Sequence, residues 1–199
     1  GLGNRSFFSE DVMYDMILRG IEIAQNKSSI LKTLDLKPED YYLGTLHRPY
    51  NVDQPQQLQQ IMNALSKLDK KVLLSAHPRL KKNLSTFKIE LGENILLTPP
   101  LGYLDFITLQ KNAIKVITDS GGVQKEAFFL QRPCVTLRPE TEWIETVESG
   151  ANILVKERSE KNIIESVNRS TNACFSEKPY GDGNASNFII NTIHSQLFS

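Results

Sequence analysis

The chain has 199 residues, enough for one good-sized domain or two small ones, and an α/β domain of this length buries about 70% of its unfolded surface. Lysine plus arginine and aspartate plus glutamate number 23 each, so the charge balance argues against a nucleic-acid or acidic-membrane partner. No apolar run approaches the roughly 20 residues of a membrane span. The two cysteines, Cys134 and Cys174, are too few for a disulfide framework, which favours a cytoplasmic protein. The sequence begins with Gly1 rather than methionine, and we expect it to be part of a longer protein.

The first predicted element is a helix over residues 9–26, with an apolar stripe from Val12 to Ala24 and Ser9 as its cap. From residue 41 onward, short apolar runs alternate with amphipathic segments. The apolar runs predict six strands, at 41–46, 71–75, 94–97, 114–118, 134–137 and 152–155. The amphipathic segments predict helices at 55–68, 78–84, 103–110, 122–130, 142–148, 160–172 and 184–197.

This alternation predicts an α/β fold with a doubly wound, parallel, six-stranded sheet of the Rossmann-like type. In the common strand order 3-2-1-4-5-6, the chain reverses direction between strands one and four, and ligands bind in the crevice at that point. Strand one ends near His47 and Arg48, and strand four ends at Ser120. We therefore expect these two strand ends, more than 70 residues apart in sequence, to form one nucleotide site.

The turn Ser120-Gly121-Gly122, between a predicted strand and a predicted helix, is typical of a phosphate-binding cradle. The first amides of a helix lack intrahelical partners and carry roughly half a positive charge, and glycines let an anion approach the backbone. Ser120 either caps the helix or donates its hydroxyl to phosphate, while the Glu126 carboxylate suits a ribose diol. The alternative is an ordinary strand-to-helix turn capped by Ser120.

Basic side chains follow the first two strands. His47 and Arg48 stand where a diphosphate needs compensating charge, and His77 gives the end of the second strand similar chemistry. Each residue also has a structural interpretation. Arg48 would pair with a surface carboxylate, His47 would cap a turn, and His77 would cap the helix that Pro78 begins.

Aromatic and acidic side chains follow the third and fifth strands. Phe106 is a candidate for contact with a base, although core packing suits at least one of Phe106 and Tyr103, which share a predicted helical face. Glu142 and Glu145 are predicted to face together, either as an acid/base pair or as solvated carboxylates at a helix start. The sequence has neither clustered metal ligands nor a dinucleotide fingerprint, so we expect no metal and no other cofactor.

Four motifs occur in the order in which one enzyme family has them. They are Thr-Leu-His-Arg-x-x-Asn at 45–51, Thr-Asp-Ser-Gly-Gly-x-Gln-x-Glu at 118–126, Arg-x-x-Thr-Glu at 138–142 and Pro-Tyr-Gly-Asp-Gly-x-Ala at 179–185. Together they resemble the C-terminal half of the non-hydrolysing UDP-N-acetylglucosamine 2-epimerase family. The resemblance implies two Rossmann-like domains in the GT-B arrangement, with the UDP-sugar in the cleft between them.

By this resemblance, Ser120 and Gly122 would hold the diphosphate, Glu126 the ribose and Phe106 the uracil. His47 would face the phosphates and the sugar, as the one candidate catalytic residue of this half. Family members invert C2 without metal or nicotinamide, by anti elimination of UDP and re-addition, with acid and base mostly in the N-terminal domain. The full set of predicted UDP-binding residues is His47, Arg48, His77, Phe106, Ser120, Gly121, Gly122, Glu126 and Arg138.

Three features depart from the usual family pattern. Tyr50 stands where the family usually has glutamate, which bears on the anchoring of Arg48. Lys125 replaces a frequent acidic residue, which we interpret as a tolerated surface change. The segments 77–79 and 141–143 are more similar to the branch that acts on UDP-diacetamido uronic acids, so the sugar stays open.

We therefore predict the nucleotide-binding half of a UDP-N-acetylhexosamine 2-epimerase that supplies sugars for surface polysaccharides and is inactive alone. Residues 1–30 would form a hinge and connecting helix, residues 31–183 the UDP-binding domain, and residues 184–199 a helix packed toward the absent N-terminal domain. The expected partners are the UDP-sugar, that N-terminal domain and a second copy of the chain in a homodimer. The alternatives are the donor-binding half of a GT-B glycosyltransferase, a UDP-diacetamido-uronic acid 2-epimerase and a free-standing binding module.

Overall fold

The computed structural model describes residues 3, 6–176 and 178–198, and the first positions of the predicted hinge lie outside this range. The strands are β1 (Tyr41–Leu46), β2 (Lys71–Ala76), β3 (Ile95–Thr98), β4 (Val116–Thr118), β5 (Cys134–Thr136) and β6 (Asn152–Leu154). The helices are α1 (Val12–Lys27), α2 (Ile30–Thr33), α3 (Pro49–Val52), α4 (Pro55–Ser66), α5 (Pro78–Thr86), α6 (Tyr103–Asn112), α7 (Gly121–Phe129), α8 (Ile144–Glu148), α9 (Glu160–Asn168) and α10 (Ala185–Phe198).

The six strands form one sheet in the order β3-β2-β1-β4-β5-β6, and every neighbouring pair is parallel. The predicted α/β class, the doubly wound sheet and the strand order are therefore confirmed. β1 and β4 lie side by side at the centre of the sheet. From β1 the chain continues outward through β2 and β3, and from β4 it continues in the opposite direction through β5 and β6, because all the crossover connections have the same handedness. The chain thus has the reversal point at which such sheets bind ligands.

Apolar side chains from alternate positions of the central strands pack on the two faces of the sheet. On one face, Val72 and Leu74 pack with residues of α4, α5 and α9 in the largest core cluster. On the other face, Tyr41, Leu43 and Leu73 pack with α2 and α6. Helices therefore cover both faces, which leaves the strand ends as the open part of the sheet. None of the described helices has the length and apolar character that crossing a bilayer requires.

The register of the sheet brings four strand ends into line. Thr45 of β1 pairs with Ser75 of β2 and with Thr118 of β4, and Thr118 pairs in turn with Thr136 of β5. Two positions after each of these four paired residues, the chain has a predicted site residue: His47 after β1, His77 after β2, Ser120 after β4 and Arg138 after β5. Hydrogen bonding between strands therefore aligns four of the predicted site residues along one edge.

The first helix starts later than predicted, because α1 is capped by Asp11 rather than by Ser9. The Asp11 carboxylate accepts a hydrogen bond from the backbone N–H of Met13 at 2.9 Å. Glu10 has a φ of 63°, so the chain turns before Asp11 and Ser9 lies outside the helix. Aspartate is a strong N-cap because its oxygen satisfies an amide of the first helical turn.

Helix α10 packs beside α1 through its N-terminal amides. Asp15 of α1 accepts hydrogen bonds from the backbone N–H groups of Ala185 at 3.1 Å and Ser186 at 2.7 Å. A carboxylate at this place satisfies unpaired amides and complements the helix dipole. The first and last described helices are therefore joined on one side of the domain.

Two other predicted helices have different limits. The helix predicted at 142–148 begins only at Ile144, since Glu142 turns back to pair with Arg138. The helix predicted at 160–172 ends at Asn168, where the buried Lys115 ammonium donates hydrogen bonds to the carbonyls of Val167 and Arg169. The short helices α2 and α3 were not predicted, because four residues show no clear periodicity.

Candidate functional site

A crevice of about 200 Å³ lies over the ends of β1, β2 and β4, and His47, His77 and Ser120 line it together with Thr45 and Pro100. A larger cavity of about 660 Å³ runs beside β6 and is lined by none of these residues. Volume alone would favour the larger cavity. We place the candidate site in the crevice because polar side chains from separate strand ends converge there, as expected for this fold.

Asp119 joins the ends of β1 and β4 and is completely buried. Its carboxylate accepts hydrogen bonds from the backbone N–H groups of His47 and Arg48, each at 3.0 Å, and from the Asn51 side-chain amide at 3.0 Å. The role of Asp119 is not predictable from the sequence, since a lone aspartate before a turn is a weak signal. It is the group that holds the His47-Arg48 segment against the cradle.

The imidazole of His47 is oriented by the same carboxylate. His47 Nδ1 lies 2.8 Å from Asp119 Oδ1, and the His47 side chain remains 44% exposed in the crevice. Because Nδ1–H is the donor to Asp119, a neutral imidazole has its lone pair on Nε2. The structure therefore presents one defined nitrogen of His47 to a ligand.

The cradle at the start of α7 is formed by Ser120, Gly121 and Gly122. Ser120 is the N-cap, and its hydroxyl oxygen accepts a hydrogen bond from the N–H of Val123 at 3.5 Å. The capping role is thus present, and it leaves the hydroxyl hydrogen available to donate. The open side of Gly122 meets only Met13 Cε, 3.7 Å from where a Cβ would stand, so side-chain bulk is absent at this amide.

Arg138 and Glu142 form a bidentate ion pair beside the cradle, with both N···O distances 2.8 Å. Arg138 is 6% exposed, and Glu142 holds the pKa of its guanidinium above the ordinary value, chiefly through these hydrogen bonds. Glu145 instead accepts a hydrogen bond from the Tyr180 hydroxyl at 3.1 Å. The prediction that Glu142 and Glu145 face together on a helix is therefore wrong, because each carboxylate has a different partner.

Glu126 and Phe106 lie on the helices that flank the crevice. Burial raises the pKa of the half-buried Glu126 carboxyl from 4.5 to about 7. The pKa of Tyr103 is also raised, first by burial and then by the charge of Glu126. Phe106 packs against the core cluster of α2 and α6. Their assignments to ribose and uracil stay predictions.

His77 serves as a helix cap, as its structural interpretation predicted. His77 Nδ1 accepts a hydrogen bond from the N–H of Arg79 at 3.3 Å, while the side chain also lines the crevice.

The Arg48 guanidinium donates through Nε to the Asp119 carbonyl at 3.4 Å. Arg48 is therefore anchored by Asp119, and the Tyr50 ring instead lies 5.1 Å from the Arg158 guanidinium.

Lys125 is buried, so the interpretation of this residue as a surface change is wrong. Its ammonium forms an ion pair with Asp11, the cap of α1, and lies 3.9 Å from the ring centroid of Trp143. The Tyr180 ring is 5.7 Å away. Lys125 therefore joins α7 to the segments that carry Asp11, Trp143 and Tyr180, which sequence spacing does not bring together.

Comparison with known proteins gives a consistent result. A family model described as UDP-N-acetylglucosamine 2-epimerase matches residues 9–194. A UDP-N-acetylglucosamine 2-epimerase homolog from Methanococcus maripaludis is 40% identical over 98% of this chain and 56% of its own length. The UDP-2,3-diacetamido-2,3-dideoxy-D-glucuronate 2-epimerase of Pseudomonas aeruginosa is 39% identical over 90% of this chain and 50% of its own length.

A solved structure supports the same relationship at the level of the backbone. The Methanocaldococcus jannaschii UDP-GlcNAc 2-epimerase, crystallised with UDP-GlcNAc and UDP, superposes with a TM-score of 0.83 and 36% identity. The alignment covers 96% of this chain and 55% of that one. The chain thus spans about half the length of the curated relatives that it matches.

Proposed function

Because the chain belongs to the UDP-N-acetylglucosamine 2-epimerase family, we propose that it is the nucleotide-binding half of a UDP-sugar 2-epimerase. In this proposal it forms one domain of a GT-B pair and holds a UDP-N-acetylhexosamine that is inverted at C2, of the UDP-GlcNAc to UDP-ManNAc type. A cytoplasmic location and a role in surface-polysaccharide synthesis belong to the same proposal. The similarity to the P. aeruginosa enzyme makes a UDP-diacetamido uronate the second candidate substrate.

The observation that carries this proposal is the convergence of His47, Ser120 and Arg138 on one edge of the sheet. Backbone amides at the start of a helix, a guanidinium and an oriented imidazole match the charge and geometry of a diphosphate. Gly121 and Gly122 leave that anion room to reach the backbone, His77 lines the same crevice, and Arg48 follows His47 in the chain. Glu126 and Phe106 are assigned to the ribose and the uracil.

The reaction assigned to the family requires the bond between C1 and the UDP oxygen to break as a proton leaves C2, and to re-form after C2 is protonated on the other face. UDP must therefore carry additional negative charge in the transition state. The N-terminal backbone amides of α7 and the Ser120 hydroxyl are preorganised donors for that charge, and the His47 imidazole held by Asp119 becomes a further donor when its Nε2 carries a proton. This half would bind, orient and stabilise the leaving group.

The first test is ligand preference. We expect isothermal calorimetry to show that UDP and UDP-GlcNAc bind this chain and that NAD does not, because the cradle follows β4 and lacks the three-glycine dinucleotide fingerprint. Ser120→Val should weaken UDP binding while uridine binding changes little. Tighter binding of NAD than of UDP would rule out the proposed substrate class.

A second prediction concerns pH. Burial raises the pKa of Glu126 to about 7, and hydrogen bonds from two ribose hydroxyls would stabilise the ionised carboxylate and lower that pKa again. The affinity for UDP-GlcNAc is therefore expected to rise from about pH 5.5 to about pH 7 and then to level off. Titration calorimetry across this range measures the profile. Glu126→Gln has no ionisable carboxyl and should remove this rise, so identical profiles would exclude the ribose role.

A third prediction concerns catalysis by this chain alone. C2 inversion needs a base and an acid on opposite sides of the sugar ring, and the chain supplies one side of the crevice. We expect no deuterium at C2 of UDP-GlcNAc after incubation in deuterated water, as followed by proton NMR. The M. jannaschii enzyme is the positive control. Deuterium incorporation by this chain would place the acid and base among its own residues.

Exposed apolar side chains mark the surface proposed for the N-terminal domain. On α10 they are Phe188, Ile190, Ile193 and Leu197, which are 43–70% exposed. Met16 of α1, the helix against which α10 packs, is also 59% exposed. Because exposed apolar side chains in such number are typical of interfaces, we assign this surface to the second domain, and we propose a homodimer as a further partner.

A further inference from the structure

Trp143, the single tryptophan of the chain, lies beside the cradle. A Cβ placed on Gly121 would stand 3.5 Å from Trp143 Nε1, 3.5 Å from Arg138 Nη1 and 3.6 Å from Glu142 Oε2. The indole nitrogen and the Arg138 guanidinium therefore lie beside the first residue of α7, where the backbone amides already attract an anion.

The indole N–H is buried and lacks a hydrogen-bond partner in the part of the chain that the structure describes. The same holds for Nε of Arg138, a residue that is 6% exposed. A buried donor without a partner lowers the stability of the fold, so native proteins rarely retain one without a reason. The indole N–H is the one of these two donors that lies next to Gly121, so a ligand bound at the cradle would supply its missing acceptor.

The Trp143 ring is held on two sides. The Lys125 ammonium lies 3.9 Å from the ring centroid, and the Tyr180 ring meets the indole edge-to-face at 6.1 Å. The backbone N–H of Trp143 donates to the Thr141 hydroxyl oxygen at 3.1 Å, which fixes the start of the loop. The indole N–H is therefore preorganised, and Lys125 acts as its positioning residue.

We propose that Trp143 is a further binding residue of the UDP site, whose Nε1–H donates a hydrogen bond to an oxygen of the bound diphosphate. This inference rests on the proposed function, since the diphosphate is the ligand. The Glu142 carboxylate also lies beside Gly121, and the Glu142 side chain is 55% exposed. It turns outward into water when the more strongly charged diphosphate takes its place beside Arg138.

The single tryptophan makes the test direct. In a ¹H–¹⁵N spectrum the chain has one indole N–H signal, and we expect UDP to shift it strongly downfield while uridine, which lacks phosphate, leaves it nearly unchanged. Absence of any UDP binding would overturn the proposed function and this inference together. Binding of UDP with an unmoved indole signal would overturn this inference alone.

A variant pair provides the second measurement. Trp143→Phe keeps an aromatic ring for Lys125 but is smaller and has no N–H, so it should weaken UDP binding about tenfold or more, as loss of a hydrogen bond to a charged group predicts, and leave uridine binding unchanged. The control Tyr42→Phe also removes one donor from an aromatic ring, but at the Asp69 contact far from the crevice. Equal UDP affinities for wild type, Trp143→Phe and Tyr42→Phe would overturn the proposal.

Discussion

Asp119→Ala is expected to lower the free energy of unfolding by about 3–5 kcal/mol. The completely buried carboxylate accepts hydrogen bonds from the amides of His47 and Arg48 and from the side chain of Asn51. Alanine would remove the acceptor of the two backbone amides, leave Asn51 with only its bond to the Leu137 carbonyl, and release the His47 imidazole. Urea denaturation followed by far-UV circular dichroism measures the loss.

The matched control for Asp119 is Asp40→Ala. Asp40 is exposed and pairs with Lys70 at the opposite end of β1, so its replacement should leave the unfolding transition almost unchanged. Asp119→Asn keeps the side-chain volume and one acceptor oxygen and should fall between wild type and Asp119→Ala. If Asp119→Ala and Asp40→Ala unfold alike, Asp119 does not hold the crevice together.

Lys125→Met is expected to cost about 2–4 kcal/mol of unfolding free energy, because it removes a buried ion pair and a cation–π contact together. Methionine keeps much of the apolar stem, so packing is largely retained. The Asp11 carboxylate, 19% exposed, would lose its partner and the N-terminus of α1 would lose rigidity. The Trp143 fluorescence, recorded during thermal unfolding, reports the local effect.

For Lys125 the control is Lys161→Met, since Lys161 is 82% exposed and lies 3.8 Å from Glu165 on the same helix. Its unfolding temperature should match that of the wild type. A Lys125→Met variant as stable as Lys161→Met would restore the interpretation of Lys125 as a surface residue.

The sheet could be predicted because its signals are local and repeated. Each apolar run followed by an amphipathic segment indicates one strand and one crossover helix, and the handedness of crossovers then restricts the order. For this reason the meeting of His47 with Ser120 in one crevice was predictable, although more than 70 residues separate them. Helix periodicity also located α1 and α10 within a few residues.

The side-chain partners within the site could not be predicted, because they depend on loop conformations. The hydrogen bonds of Asp119 require the β1 loop to fold back over the end of β4, which no spacing reveals. Lys125 follows the cradle on a helix whose polar positions resemble an exposed face, and only the approach of Asp11 and Trp143 buries it. Glu142 leaves the predicted helix because Arg138 offers a stronger, bidentate contact.

The central position of β1 has a consequence for synthesis on the ribosome. β1 lies between β2 and β4, yet β4 begins only at residue 116, so the nascent chain carries one unpaired edge of β1 until the translation of more than half of the sequence is complete. That edge belongs to Tyr41–Leu46, an apolar strand of the kind that pairs with other chains when left open. We therefore expect chains that end between β3 and β4 to aggregate more readily than chains that include β4, because only the latter pair both edges of β1.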